Sequence, residues 1–134
     1  MQLVAHGIDL VDCKRIEHML ENHSDRFLKR VFTRAEQDYA QQGKNRIERL
    51  AGRFAAKEAV LKLIGTGWRE KIAWTDIEVI NDTLGKPEVT VTGQVKEIAL
   101  TMGIGHISIS ITHAADLAIA SVVALAVSDE EHTL

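Results

Sequence analysis

The sequence predicts an α+β domain, and three patterns carry that prediction. Strand and helix signals are mixed without the regular alternation of a doubly wound sheet. Strand pairs joined by short turns dominate the second half, and one long helix occupies the middle. With 134 residues, 46% of them hydrophobic, the chain can build one core and is too short for two ordinary domains. Residues 1–134 are therefore read as a single domain. Aromatic side chains make up only 4%, so the core must come from Val, Ile, Leu and Ala, and oligomerisation can add stability.

Leu3 to Val11 reads as the first strand, with Val4, Ile8 and Leu10 on one parity and Ala5 and Gly7 on the other, beside Asp9. Asp9 falls near the strand end. Asp12 can cap a helix carrying Ile16, Met19 and Leu20, and Ser24 a second piece carrying Phe27, Leu28 and Val31. Thr33 followed three places later by Glu36 is a capping box that opens a short helix toward Tyr39, which Gly43 interrupts. From Asn45 to Ile64, the residues Ile47, Leu50, Ala51, Phe54, Leu61 and Ile64 recur at steps of three and four, the spacing of a helix with one buried stripe. Gly65-Thr66-Gly67 suits a left-handed cap and a tight turn. Trp74 to Ile80 and Glu88 to Thr92 read as strands on either side of a turn from Asn81 to Pro87, hence a hairpin. Gln94 to Met102 has helical spacing and stops at Gly103. His106 to Thr112 alternates, with Ile107, Ile109 and Ile111 on a dry face and His106, Ser108, Ser110 and Thr112 on a polar one. Leu117 to Val127 is apolar throughout, as a central strand would be, and a polar tail from Ser128 to Leu134 follows.

Composition also excludes functions. A formal net charge of -3 makes the whole molecule a poor partner for nucleic acid or an anionic membrane. The first residues lack a basic segment followed by an apolar run, and no eighteen consecutive apolar residues occur. Cys13 is the only cysteine, which excludes an intramolecular disulfide or thiolate zinc cluster and suits a reducing compartment. A cytoplasmic enzyme is expected.

Glu58 is the most informative residue. Helical rotation from Ile47, Leu50, Ala51 and Phe54 places it within the buried stripe, where an unpaired carboxylate costs several kcal/mol. It must be protonated, ion-paired or bound to a metal, and Lys62 at i+4 or a subunit surface would serve as well as a metal. A lone Asp9 at a strand end is ordinarily a cap or turn residue. Two carboxylates projecting inward from different elements, however, make a hard oxygen site suited to Mg²⁺, which completes its shell with water and substrate phosphate. Lys57, Lys62 and Arg53 beside Glu58 suit a diphosphate, or else form an ordinary solvated face. Backbone N–H groups of Gly65-Thr66-Gly67 could meet a phosphate, although turn-making is the simpler reading.

Taken in order, Gly7-Ile8-Asp9, then Arg53-Phe54-Ala55-Ala56-Lys57-Glu58-Ala59 with Lys62 and Gly65-Thr66-Gly67, then Gly85-Lys86-Pro87 and Ser110-Ile111-Thr112-His113 span nearly the whole chain. Together they resemble the holo-acyl-carrier-protein synthase group of phosphopantetheinyl transferases. The resemblance implies that group's fold, an antiparallel sheet packed against a long helix. It implies transfer of the 4′-phosphopantetheine arm of coenzyme A to a serine of apo-acyl carrier protein, releasing adenosine 3′,5′-bisphosphate. By the same resemblance Asp9 and Glu58 coordinate Mg²⁺, and Lys62 completes the catalytic set by contacting the phosphates. Arg53, Phe54, Gly65, Lys86, Pro87 and Ser108 become coenzyme A neighbours. The serine proton falls to Glu58 or to a metal-held water, and both stay open.

The family further implies a homotrimer with active sites between subunits, and an acidic carrier protein docked on basic residues of the first helical region. Lys14, Arg15, Arg26, Lys29, Arg30 and Arg34 cluster there, with Phe27 as an apolar anchor and Arg15 and Arg26 as the preferred contacts. One departure concerns a histidine that relatives commonly carry five residues before the position of His113. Here that residue is Ser108, with His106 two places earlier on the same parity. Either Ser108 replaces a phosphate contact, or the strand shifts, or His106 is simply exposed. The rival readings are a non-catalytic binding module for coenzyme A or a nucleotide, and a structural oligomer in which Glu58 and Lys62 form only an ion pair.

Overall fold

A computed structural model of the chain describes residues 2–65 and 71–127. Strand β1 (Leu3–Asp12) runs directly into helix α1 (Cys13–Val31), where Asp12 accepts the Lys14 N–H at 2.9 Å as the helix cap. Ser24, expected to cap a second piece, adopts φ 29° and ψ -112° and kinks α1 at that point. Helix α2 (Arg34–Gln41) opens with the full capping box: Thr33 Oγ1 accepts the Glu36 N–H, and Glu36 Oε1 accepts the Thr33 N–H at 2.9 Å. Helix α3 (Arg46–Ile64) ends at Gly65, whose φ of 76° is the left-handed cap.

A single 3₁₀ turn, Trp74–Asp76, precedes β2 (Ile77–Asn81), so the strand starts three residues later than its apolar pattern suggests. The cause is local: Asp76 accepts the Ala73 N–H and winds the segment. Strand β3 (Pro87–Val91) closes the expected hairpin with β2, helix α4 (Gly93–Thr101) follows, and β4 (Ile104–Ala114) and β5 (Leu117–Ala126) complete the order.

The strands form two antiparallel sheets rather than one: a three-stranded sheet in the order β1-β5-β4, and the separate pair β2-β3. The apolar β5 is central, as predicted. Helix α3 lies against the larger sheet and is buried nearly all round, not along one stripe. Its small residues Ala51, Gly52, Ala55, Ala56 and Ala59 admit the sheet on one side, the hairpin on another and α1 on a third. The approach to β1 is closest at Gly7, where an added Cβ would collide with the Ala59 carbonyl oxygen. That closeness turns the small-residue parity of β1 inward. Gly7 and Val11 are buried, while Ile8 and Leu10 stand 58% and 55% exposed on the outer face.

Candidate active site

The Gly7–Ala59 contact brings the end of β1 beside the C-terminal half of α3, and so gathers three sequence-predicted residues. Lys62 Nζ lies 2.8 Å from Asp9 Oδ1 and also donates to the Ile8 carbonyl at 3.2 Å. Glu58 sits one turn earlier on the helix, with Arg15 Nη2 from α1 at 4.0 Å from its Oε1. The side chains of Asp9 and Glu58 are 12% and 27% exposed. Glu58 is thus at the rim of the buried helix and not in the middle of its dry surface. Lys62, one helical turn beyond it, takes Asp9 as its close partner.

Electrostatics follow from this crowding. Burial pushes the Glu58 carboxyl above the usual carboxylate range and the Asp9 charge adds to the push, while Arg15 and Lys62 only partly oppose it. The Asp9 carboxylate holds the Lys62 ammonium above the ordinary lysine value. Among the described residues no group of three or more His, Cys, Asp and Glu side chains is placed to hold a metal ion. Two crowded, incompletely neutralised carboxylates at an open rim fit Mg²⁺, which needs one or two protein carboxylates and takes the rest of its oxygens from water and phosphate.

The other cations of the helix are elsewhere. Lys57 is one residue, and so about 100° of rotation, from Glu58. It is fully buried and meets Glu36 Oε1 at 2.8 Å and the carbonyls of Trp74 and Ile77. Arg53, 4% exposed, donates from Nη2 to Asn81 Oδ1 at 2.9 Å, and its guanidinium lies over the Tyr39 ring. Neither flanks Glu58, contrary to the sequence expectation that both would stand beside it, because the hairpin covers a second buried side of the helix and draws Lys57 to the Ile77 carbonyl and Arg53 to Asn81.

Phe54 stacks on Trp74 with ring centroids 5.0 Å apart and carries Arg15 over its face at 5.1 Å. These three residues line a cavity of about 340 Å³ together with Arg26, Phe27 and Arg30. The expected docking residues therefore converge, and Phe27, largely buried and edge-to-face with Phe32, lines the same cavity. Trp74 was missed because it lies far from the basic helix in sequence.

Lys86, Pro87 and Ser108 line a separate cleft of about 380 Å³ between β3 and β4. His106 lines it too, opposite Leu125 after a register shift at Ile104 to His106, with Ser108 opposite Val123. The shared parity of His106 and Ser108 was the available signal. Gly65 is exposed at the end of α3, and Thr66 and Gly67 lie outside the described residues. The carboxylate rim and this cleft thus belong to opposite edges of the sheet, β1 and β4, with Asp9 on the face toward α3 and Ser108 on the other.

Known proteins match this arrangement. Residues 5–122 fit the family model of the 4′-phosphopantetheinyl transferase superfamily. A holo-[acyl-carrier-protein] synthase of Solibacter usitatus is 43% identical over 121 residues, 90% of this chain and 97% of the relative. One from Caldanaerobacter subterraneus is 44% identical over 124 residues, covering 92% and 94%. Among solved structures, the synthase of Neisseria meningitidis superposes with a TM-score of 0.83 at 33% identity, covering 92% of this chain and 99% of that one. The Helicobacter pylori synthase, solved in complex with coenzyme A, gives 0.79 at 31%, covering 90% and 99%. With fold, motif order and sequence in agreement over nine-tenths of its length, the chain belongs to the 4′-phosphopantetheinyl transferase superfamily, among the holo-[acyl-carrier-protein] synthases.

Proposed function

We propose that this chain, acting as one domain, transfers 4′-phosphopantetheine from coenzyme A to a serine of apo-acyl carrier protein with Mg²⁺ held by Asp9 and Glu58. The observation that carries the reading is that Asp9 and Glu58, from a strand and a helix, come close enough to repel each other at one open rim with Lys62 and Arg15 beside them. Bound there, the metal would neutralise and orient the diphosphate of coenzyme A. Lys62 is 57% exposed and can exchange Asp9 for a phosphate oxygen, offsetting charge on the leaving group. The serine proton would go to Glu58 or to a water held by the metal.

Lys86, Pro87, Ser108 and His106 would receive the nucleotide end of the cofactor. Arg53, behind the same hairpin, would support that wall through its bond to Asn81. A trimer accounts for the separation of the two clusters. One subunit's carboxylate rim would meet a neighbour's cleft, and the exposed Ile8 and Leu10 of β1 would be covered in the assembly. The cavity rimmed by Arg15, Arg26 and Arg30 would dock the acidic carrier, with apolar carrier side chains on Phe54 and Trp74. None of the described helices is long and apolar enough to cross a membrane, and we place the enzyme in the cytoplasm, where Cys13 stays reduced.

Incubation with coenzyme A, Mg²⁺ and apo-acyl carrier protein, followed by mass spectrometry of the carrier, tests the reaction. A phosphopantetheine adduct is expected. Its absence would overturn the activity, and coenzyme A binding without it would leave a binding module. Reversal of Arg26 to Glu should raise the KM for the carrier while leaving coenzyme A binding unchanged; equal losses would remove Arg26 from the docking surface.

A further inference from the structure

The hairpin β2–β3 is docked through the buried Ile77 and Val79 of β2 and along β4 by β3, while its loop end lies beyond those core contacts. Its loop is closed on itself. Asp82 Oδ1 accepts the N–H groups of Leu84 and Lys86 at 2.8 and 2.9 Å, and the Asp82 N–H donates to the Lys86 carbonyl at 2.8 Å. A loop held this way moves with its strands. Near the start of β2, Glu36 and Lys57 grip the backbone at Ile77 and Val79. At the loop end, directly across from Pro87 in the strand register, the attachment is the Asn81 side chain. Its Oδ1 accepts from Arg53 Nη2 and its Nδ2 donates to the Tyr39 hydroxyl, each at 2.9 Å.

The anchor is itself stiff. The guanidinium groups of Arg49 and Arg53 lie over the Tyr39 ring at 4.4 and 4.0 Å, and Arg49 Nη1 donates to the Tyr39 and Gln42 carbonyls. Both clasp residues of Asn81 therefore have fixed positions. The cleft has walls from two different sheets: Lys86 and Pro87 on the hairpin, His106 and Ser108 on β4. Its width depends on where the hairpin is docked.

We propose that Asn81 is a positioning residue for coenzyme A: by clasping the loop end of the hairpin to Tyr39 and Arg53 it sets the distance of the Lys86–Pro87 wall from β4 without touching the ligand. This rests on the reading of the cleft as the receiver of the nucleotide end. A residue with this task changes ligand affinity while leaving the carboxylate rim and the docking cavity alone. Asn81→Ala should raise the Kd for coenzyme A and for adenosine 3′,5′-bisphosphate by about tenfold, measured by calorimetry on the whole protein. The KM for coenzyme A should follow, with kcat and the carrier KM within about twofold of their parent values. Tyr39→Phe removes the hydroxyl and keeps the ring under both guanidinium groups. It should weaken both ligands in the same sense by about threefold, and it decides the matter alone should Asn81→Ala not fold. Parental affinity for both ligands in the variants that fold would overturn the proposal. So would a loss shared equally by the coenzyme A and carrier terms, the mark of a general structural defect. An unaltered protein that binds neither ligand would sink the functional reading and this proposal with it, a result distinct from variants that bind as well as their parent.

Discussion

Two ammonium–carboxylate contacts lie five residues apart on α3 and have the same length, 2.8 Å, yet they are built for opposite purposes. Lys57 and Glu36 are fully buried, and each of their polar side-chain atoms has a partner. Lys57 also meets the Trp74 and Ile77 carbonyls, and Glu36 also accepts the Thr33 and Val79 N–H groups. Lys62 and Asp9 stand at an open rim next to Glu58, a carboxylate whose nearest ion-pair partner among the described residues, Arg15, is 4.0 Å away. The distance between charges is no guide to their role. What separates the two clusters is unfilled capacity: in the first every polar side-chain atom is bonded and three elements are locked together, whereas the second, on the proposed reading, keeps acceptor oxygens for metal and phosphate.

If that contrast is right, substitutions at the rim should damage chemistry and leave folding alone. Asp9→Ala or Glu58→Ala should lower transfer by at least about a thousandfold, measured as adduct on the carrier, with the thermal transition and oligomeric state kept. Near-parental turnover in either variant would remove that residue from the metal site. Substitutions in the buried pair should do the reverse. Lys57→Met leaves the Glu36 carboxylate buried without its cation and should cost about 3–5 kcal/mol in chemical denaturation at fixed protomer concentration. Adding Glu36→Gln keeps an acceptor for the Val79 N–H and should recover much of the loss. A double variant no better than the single would mean that the pair is not the unit of stability.

The same contrast shows why some features were legible in the sequence and others were not. The hairpin, the central β5, the Thr33–Glu36 capping box and the long α3 rest on local patterns that tertiary packing left intact. The capping box also concealed something. It accounts for Glu36 Oε1, whereas Oε2 serves Val79, 43 residues away, and no local pattern encodes that contact. Lys57 was misplaced because helical rotation identifies one buried stripe and cannot say that a second is covered by a hairpin. The inward parity of β1 inverted the usual preference for large apolar residues, since at the Gly7 approach α3 leaves no room for them. Glu58 was recognisable as a carboxylate in need of a partner; that the partner carboxylate is Asp9 came from motif order.

A smaller effect separates the clusters by pH. Burial and the Asp9 charge raise the Glu58 pKa in the folded, metal-free protein, so the native state retains a proton that the unfolded chain has already released. Stability contributed by that proton is complete below the ordinary glutamate value and is lost as pH rises through the raised one. In chelator, the thermal midpoint of the parent should therefore fall across this window relative to that of Glu58→Gln, and Mg²⁺ should reverse the difference by competing for the ionised form. Superimposable pH profiles for the two proteins would refute the crowding of Asp9 and Glu58.

The smallest expected change is the one that a distance-based reading would rank among the largest. Lys62→Met removes a 2.8 Å contact, as Lys57→Met does, but the Lys62 side chain is more than half exposed and water replaces the lost charge on Asp9. Its thermal midpoint should move by no more than about 2 °C, while the KM for coenzyme A rises and kcat falls, as the proposed contact of the ammonium with phosphate requires. A destabilisation matching that of Lys57→Met would show that Lys62 is structural. The two clusters would then differ only in exposure, and unfilled capacity would not distinguish the rim.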